Sequence, residues 1–282
     1  MACLFVEQLC VIDCASLHPI SGLRGESWIV DLQLEGGLDE QGMVFDFGLV
    51  KPRVKAVIDD KIDHRLLVPS RSEALSIEID DSDATLEFRY GDASLYHRSP
   101  EDALCLLDTS KVSLRAVEES VAKEIEAVMP ANVTGIRVSL REEEIAGAWY
   151  RYSHGLRQHD GNCQRIAHGH RSRIEILRDG QRSEASERWL AERWRDAYIA
   201  CQQDIKGETT LSQKPCYHFA YSAPQGEFEL VVEQRHCELL DTDSTVECIA
   251  AHIARLLKER DPDARFQVRA YEGVRKGAIA TS

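Results

Sequence analysis

Cys105-Leu106-Leu107-Asp108-Thr109 returns later in the chain as Glu238-Leu239-Leu240-Asp241-Thr242, and each copy leads into a stretch with helical apolar spacing, 112–128 and 245–257. After each predicted helix comes a loop and an alternating strand, 135–140 and 265–271, which runs out onto a glutamate, Glu142 or Glu272. The pattern also extends upstream. A helix is predicted at 49–62 and at 187–201, a strand-turn-strand at 75–79 with 85–90 and at 217–221 with 227–233, and an opening hairpin at 9–14 with 28–34 and at 149–154 with 172–177. A supersecondary unit used twice at a spacing of roughly 140 residues constrains the fold more than any single motif does. Each unit reads as two strands, a helix, an inserted hairpin, a helix and a closing strand. The predicted class is α+β, with antiparallel sheets and helices on one face. No Pro-rich or Ser-rich linker separates the copies, so the predicted domains are 1–147 and 148–282.

A chain of 282 residues with 43% hydrophobic content can bury a substantial core. No apolar run approaches the roughly 18 residues of a membrane span, and no basic flank marks a signal peptide, so a soluble cytoplasmic protein without membrane partners is expected. The nine cysteines are odd in number and form no CxxC pair, which argues for reduced residues rather than a disulfide framework. The net charge of −14 sits in one half: residues 1–147 hold 14 basic and 28 acidic side chains, residues 148–282 hold 20 of each. That excess disfavours nucleic acid as a partner.

The chemistry concentrates in the second copy. His168 and His170, spaced i and i+2 on a predicted strand, project from one face, and Gly169 between them allows close backbone approach. With His154 upstream they form a trio of imidazoles that leaves a fourth position open, the arrangement of a catalytic rather than a structural zinc site. Arg157, Arg165, Arg171 and Arg173 crowd this cluster and would suit a small anionic substrate. Trp189 and Trp194, at helical spacing, read as packing, and His159, His218 and His236 as solvent-facing or satisfied side chains.

The segment Tyr152-Ser-His154-Gly-Leu, then Cys163, then His168-Gly-His170, resembles the 6-pyruvoyl-tetrahydropterin synthase family, which includes 6-carboxytetrahydropterin synthase of the queuosine pathway. The resemblance is divided between the copies. Copy one carries Gly42 to Phe47 and Ile62-Asp63-His64-Arg65-Leu66-Leu67, similar to the family's GxxxDF and LDHxxL segments, but has Arg24-Gly25-Glu26 in place of HGH and Cys14 in place of the first ligand. Copy two carries the ligands and Cys163, Thr245-Val-Glu247 and Glu272, with no Asp-His pair after its first helix.

The resemblance implies two tandem tunnelling folds (T-folds) and one composite site per chain. Zn²⁺ would be held by His154, His168 and His170; Cys163, Asp63 and His64 would form the catalytic triad across a domain or chain interface; Thr245, Glu247 and Glu272 would hold the pterin. It implies a carbon–oxygen lyase acting on 7,8-dihydroneopterin triphosphate or a close pterin by phosphate elimination with side-chain rearrangement or cleavage. It also implies a homo-oligomer, a trimer of six folds or a tetramer of eight. Two alternatives stay open: a non-catalytic pterin- or purine-binding T-fold protein, and a metal-free enzyme of the urate-oxidase kind, which leaves the three histidines without a use.

Overall fold

A computed structural model describes all 282 residues. The first half runs β1 (Ala2–His18), β2 (Gly22–Gly36), α1 (Phe47–Lys61), β3 (Leu66–Pro69), β4 (Leu75–Asp80), β5 (Asp83–Tyr90), β6 (Ala93–Pro100), β7 (Leu104–Leu107), α2 (Leu114–Glu126) and β8 (Val133–Glu142). The second runs β9 (Trp149–His154), β10 (His168–Arg178), β11 (Gln181–Arg182), α3 (Glu184–Arg193), β12 (Ala197–Cys201), β13 (Ile205–Leu211), β14 (Lys214–Ala223), β15 (Gly226–Glu233), β16 (Cys237–Leu240), α4 (Val246–Arg260), β17 (Phe266–Tyr271) and β18 (Gly277–Thr281). The helices start where side-chain oxygens can take an orphan N–H: Asp46, Ser113, Ser183 and Thr245 each accept from the backbone two or three residues on.

The chain is α+β, two T-folds in tandem. One sheet is ordered β7-β3-β1-β2-β8 and a second β16-β12-β9-β10-β17-β18. Helices cover one face of each. Val50, Val54 and Ile58 of α1 and Val117, Val121 and Ile125 of α2 pack on the first sheet, and Leu190 of α3 with Ile249, Ile253 and Leu257 of α4 on the second. These sheets are mixed rather than purely antiparallel, because β3 runs parallel to β1 and β7, and β12 parallel to β9 and β16. A helix between two strands returns the chain in the same direction, which gives parallel pairing.

Two further expectations change. The predicted helix 187–201 ends at Arg193, and Ala197–Cys201 is a strand buried along its whole length. A short apolar run buried on both faces carries no periodicity to separate strand from helix. The inserted hairpin is a three-stranded unit in each half, and the predicted pairs were one strand out of step: β4–β5 in the first copy against β14–β15 in the second. The six strands join as one sheet, β13-β14-β15-β6-β5-β4, whose order reads alike from both edges. Its central antiparallel pair, β15 with β6, crosses between the halves. An approximate two-fold relation therefore links the two halves. The free face of this sheet closes a core shared by both, in which Leu17, Val68 and Phe88 meet Tyr198, Phe219 and Phe228. Each large apolar side chain buried there contributes about 1.5–3 kcal/mol, so the halves are held as one body.

At the centre of that sheet His97 stands opposite Leu230, fully buried, with no hydrogen-bond partner on Nδ1. Burial alone pushes its pKa down to about 4. The unfolded chain then binds a proton that the folded one refuses between about pH 6.5 and pH 4, so stability rises with pH across that window and falls on acidification. The loss by pH 4 is on the order of 3 kcal/mol. His97→Leu, which repeats the residue across the pair, should flatten this dependence in denaturant titrations at pH 4.5 and 7. Equal pH slopes for the two proteins would refute the assignment.

Candidate functional site

The histidine trio follows from strand register. His154 of β9 lies opposite His168 of β10, and His170 lies two residues further on the same face. All three are buried. Their ring nitrogens lie within 4.8 Å of one another, with Nε2 of His154 and of His170 3.1 Å apart. Each Nδ1 has an oxygen behind it: Ser244 Oγ at 3.0 Å for His154, the Arg165 carbonyl at 2.9 Å for His168, and Asp13 Oδ1 at 3.2 Å for His170. With Nδ1 facing those oxygens, the Nε2 lone pairs of neutral rings turn inward toward one another, and the buried Nε2 of His168 has no partner. Burial, reinforced by the neighbouring imidazoles, lowers the pKa values of His154 and His168 well below the ordinary range. Buried, neutral, converging imidazoles held from behind are what a divalent cation such as zinc requires.

A second group from the other half touches this trio. His64 follows the end of α1 in a left-handed conformation, φ +56°. A non-glycine residue takes that conformation only when its surroundings fix it. Here its N–H donates to the Asp13 carbonyl at 2.7 Å, and its Nδ1 lies 2.6 Å from Asp63 Oδ2. Asp63 Oδ1 accepts from the Asp13 N–H at 2.8 Å. Cys163 lies in the short turn Asn162–Gln164, pinned by the Tyr221 hydroxyl on the Gln164 carbonyl and by Leu156 N–H on its own carbonyl. Its sulfur, a nitrogen of His64 and one of His168 lie within 4.8 Å of one another, and the His64 and His168 rings are 5.1 Å apart. Burial pulls the pKa of His64 down, but hydrogen bonds and charge from Asp63 and Cys163 outweigh it and raise it to about 10.

Cys163, Asp63 and His64 therefore meet within one chain, across the contact between its halves. That contact is close because β2 and β10 cross at two glycines: a Cβ on Gly169 would lie 2.7 Å from the Cα of Gly25. The other expected residues are placed less uniformly. Glu272 Oε1 lies 3.9 Å from His170 Nε2, with Lys276 4.0 Å from its other oxygen. The Thr245 hydroxyl is used as the cap of α4, beside Ser244, and Glu247 is exposed in the first turn of that helix. Of the four arginines, Arg157 pairs with Asp204, Arg171 with Glu142 and Arg173 with Glu143. Arg165 is buried with Nη1 unpartnered, and burial together with Arg65 lowers its pKa to about 10. Trp194 is fully buried, and His218 and His236 face Glu229 and Glu233.

Sequence reasoning missed Asp13 and Ser244. Asp13 touches His170, Asp63 and His64 at once and also lies 3.1 Å from Lys276. Nothing local marks it, because its partners lie in both halves. One reading is corrected by register: the residue opposite Arg24 is Ser16, so Ser16 rather than Cys14 occupies the place of His154, and Cys14 faces Glu26.

The family described as 6-pyruvoyl tetrahydropterin synthase matches residues 12–152. A protein of Methanocaldococcus jannaschii, described as a putative 6-carboxy-5,6,7,8-tetrahydropterin synthase, is 30% identical over 139 residues, 48% of this chain and 83% of that protein. The chain belongs to the 6-pyruvoyl tetrahydropterin synthase family. The family match holds Asp63 and His64 and stops two residues short of His154, so it covers the half without the histidine trio. Among solved structures, 6-pyruvoyl tetrahydropterin synthase of Plasmodium vivax is 20% identical with a TM-score of 0.41, covering 51% of this chain and 93% of that one. The Plasmodium falciparum protein is 21% identical with a TM-score of 0.40, covering 49% and 90%.

Proposed function

We propose that this chain is a zinc-dependent pterin enzyme of the 6-pyruvoyl/6-carboxy-tetrahydropterin synthase type, with one composite site per chain. The substrate is 7,8-dihydroneopterin triphosphate or a close pterin, and the reaction is phosphate elimination with rearrangement or cleavage of the side chain. The observation that carries this reading is the meeting of Cys163 with Asp63 and His64, from opposite halves, against the histidine trio.

Zinc on His154, His168 and His170 would act as a Lewis acid toward the oxygens of the substrate side chain. Cys163 removes a side-chain proton, since a cationic imidazole beside a thiol favours the nucleophilic thiolate. His64, whose pKa is raised to about 10, starts as the acid and delivers its proton from Nε2 while Asp63 fixes Nδ1. Glu272 accepts hydrogen bonds from pterin N–H groups, with Thr245 and Glu247 at the same edge. Arg165, with its unpartnered Nη1, meets the phosphates. The chain works in the cytoplasm as a ring of three or four copies, with 1–147 and 148–282 as its domains.

Incubation with 7,8-dihydroneopterin triphosphate should release phosphate and yield a pterin of changed mass. Cys163→Ala and His64→Ala should each abolish turnover while leaving pterin binding within about tenfold of wild type. Wild-type protein that binds the pterin without converting it would make this a binding protein instead.

A further inference from the structure

The two-fold relation that joins the halves carries the histidine site onto a second place at the same contact. There Arg24 stands where His168 stands, Glu26 where His170 stands and Ser16 where His154 stands, as the matched β1–β2 and β9–β10 registers require. The registers of β3 with β1 and of β12 with β9 place Arg195-Asp196 where Asp63-His64 stand. Asp196 repeats the left-handed backbone of His64, φ +54° against +56°. Every chemical group of the first site has been replaced, yet the space remains open. It is a cleft of about 490 Å³ lined by Arg24, Trp149, Arg151, Arg188, Glu192 and Arg195, among others.

The replacement has a direction. In a chain of net charge −14, four arginines face this cleft against the carboxylates of Glu192 and Asp196. Arg24 and Arg151 are fixed by Glu26 at 3.1 and 3.3 Å, and Arg151 also by Glu142 at 2.5 Å. The pairs hold these two guanidinium groups in place. Arg195 has no carboxylate within 4.0 Å, and Arg188 has only Glu184, where water screens both partners at more than 60% exposure. Trp149, 38% exposed, offers a flat apolar wall steadied by the Arg151 and Arg171 guanidinium groups, 4.7 and 4.3 Å from its ring. The volume is that of a small-molecule site rather than a gap for a single ion.

We propose that this arginine cleft binds a phosphate-bearing small molecule. The guanidinium forks of Arg188 and Arg195 take the phosphate oxygens, and Trp149 packs against the rest of the ligand. The site is separate from the histidine cluster and survives loss of that cluster's metal.

Inorganic pyrophosphate titrated calorimetrically into the full chain tests this without reading turnover. Wild type should bind it, and Arg188→Ala with Arg195→Ala should weaken binding by roughly tenfold or more, since each fork gives charge-assisted hydrogen bonds. Both residues are exposed, so the double variant should keep the near-ultraviolet circular dichroism of wild type. His168→Ala should bind as wild type does. No binding to wild type, unchanged affinity in the double variant, or loss in His168→Ala or Arg165→Ala, which would place the anion at the histidine site, overturns the proposal.

Discussion

His168→Ala is expected to empty the chain of tightly held zinc. His168 Nε2 is buried without a partner between the other two rings, and its removal leaves two imidazoles, too few to close a catalytic site of three protein ligands. Losing a group that merely supports a ligand costs roughly 10–100-fold in affinity, and losing a ligand costs more. Asp13→Asn belongs to the weaker class, because Asp13 faces His170 Nδ1 at 3.2 Å and is not itself in the trio. Elemental analysis after metal stripping and reloading should give one zinc per wild-type chain, less in Asp13→Asn at limiting zinc, and none in His168→Ala. Stoichiometric zinc in His168→Ala would show that the trio does not hold it. A wild-type chain that takes up none would return the metal-free alternative to consideration.

Gly25→Ala should be the most damaging single methyl group in the protein. Its Cβ would meet the carbonyl oxygen of Tyr152 and lie 2.7 and 2.8 Å from the backbone nitrogen and oxygen of His170. These neighbours are all backbone in paired strands, so no side chain can swing away, and β2 and β10 must move apart. Overpacking of this kind costs about 1–3 kcal/mol, and more where the backbone cannot give. The same displacement separates Asp13 from His170 and His64 from Cys163, so zinc affinity should fall together with the denaturation midpoint. Gly37→Ala is the control, because a Cβ there meets nothing within 4 Å. Wild-type stability and zinc content in Gly25→Ala would mean that the halves do not pack through this crossing.

The site divides into what residue spacing reveals and what it does not. The HxH pair, Cys163 and Asp63-His64 were legible because each is a short run with a chemical rationale. Asp13 was not, since an aspartate in a strand resembles any other until its neighbours from β10 and the α1 turn are known. Helices with one apolar stripe, such as 114–126 and 246–260, were read almost to their ends. Ala197–Cys201 was misread because burial on both faces erases the alternation that marks a strand.

Within the chain of residues itself, the repeated Leu-Leu-Asp-Thr segment, the helical stripes and the alternating strands are enough to require a duplicated α+β unit. The spacing of the histidines is enough to put two of them on one strand face. Only the folded molecule decides that β6 and β15 pair, that two glycines let the sheets cross, and that the halves face each other about an approximate two-fold axis. The reason is that local pattern fixes which face of an element is apolar, whereas the partner of that face depends on contacts between residues more than a hundred positions apart.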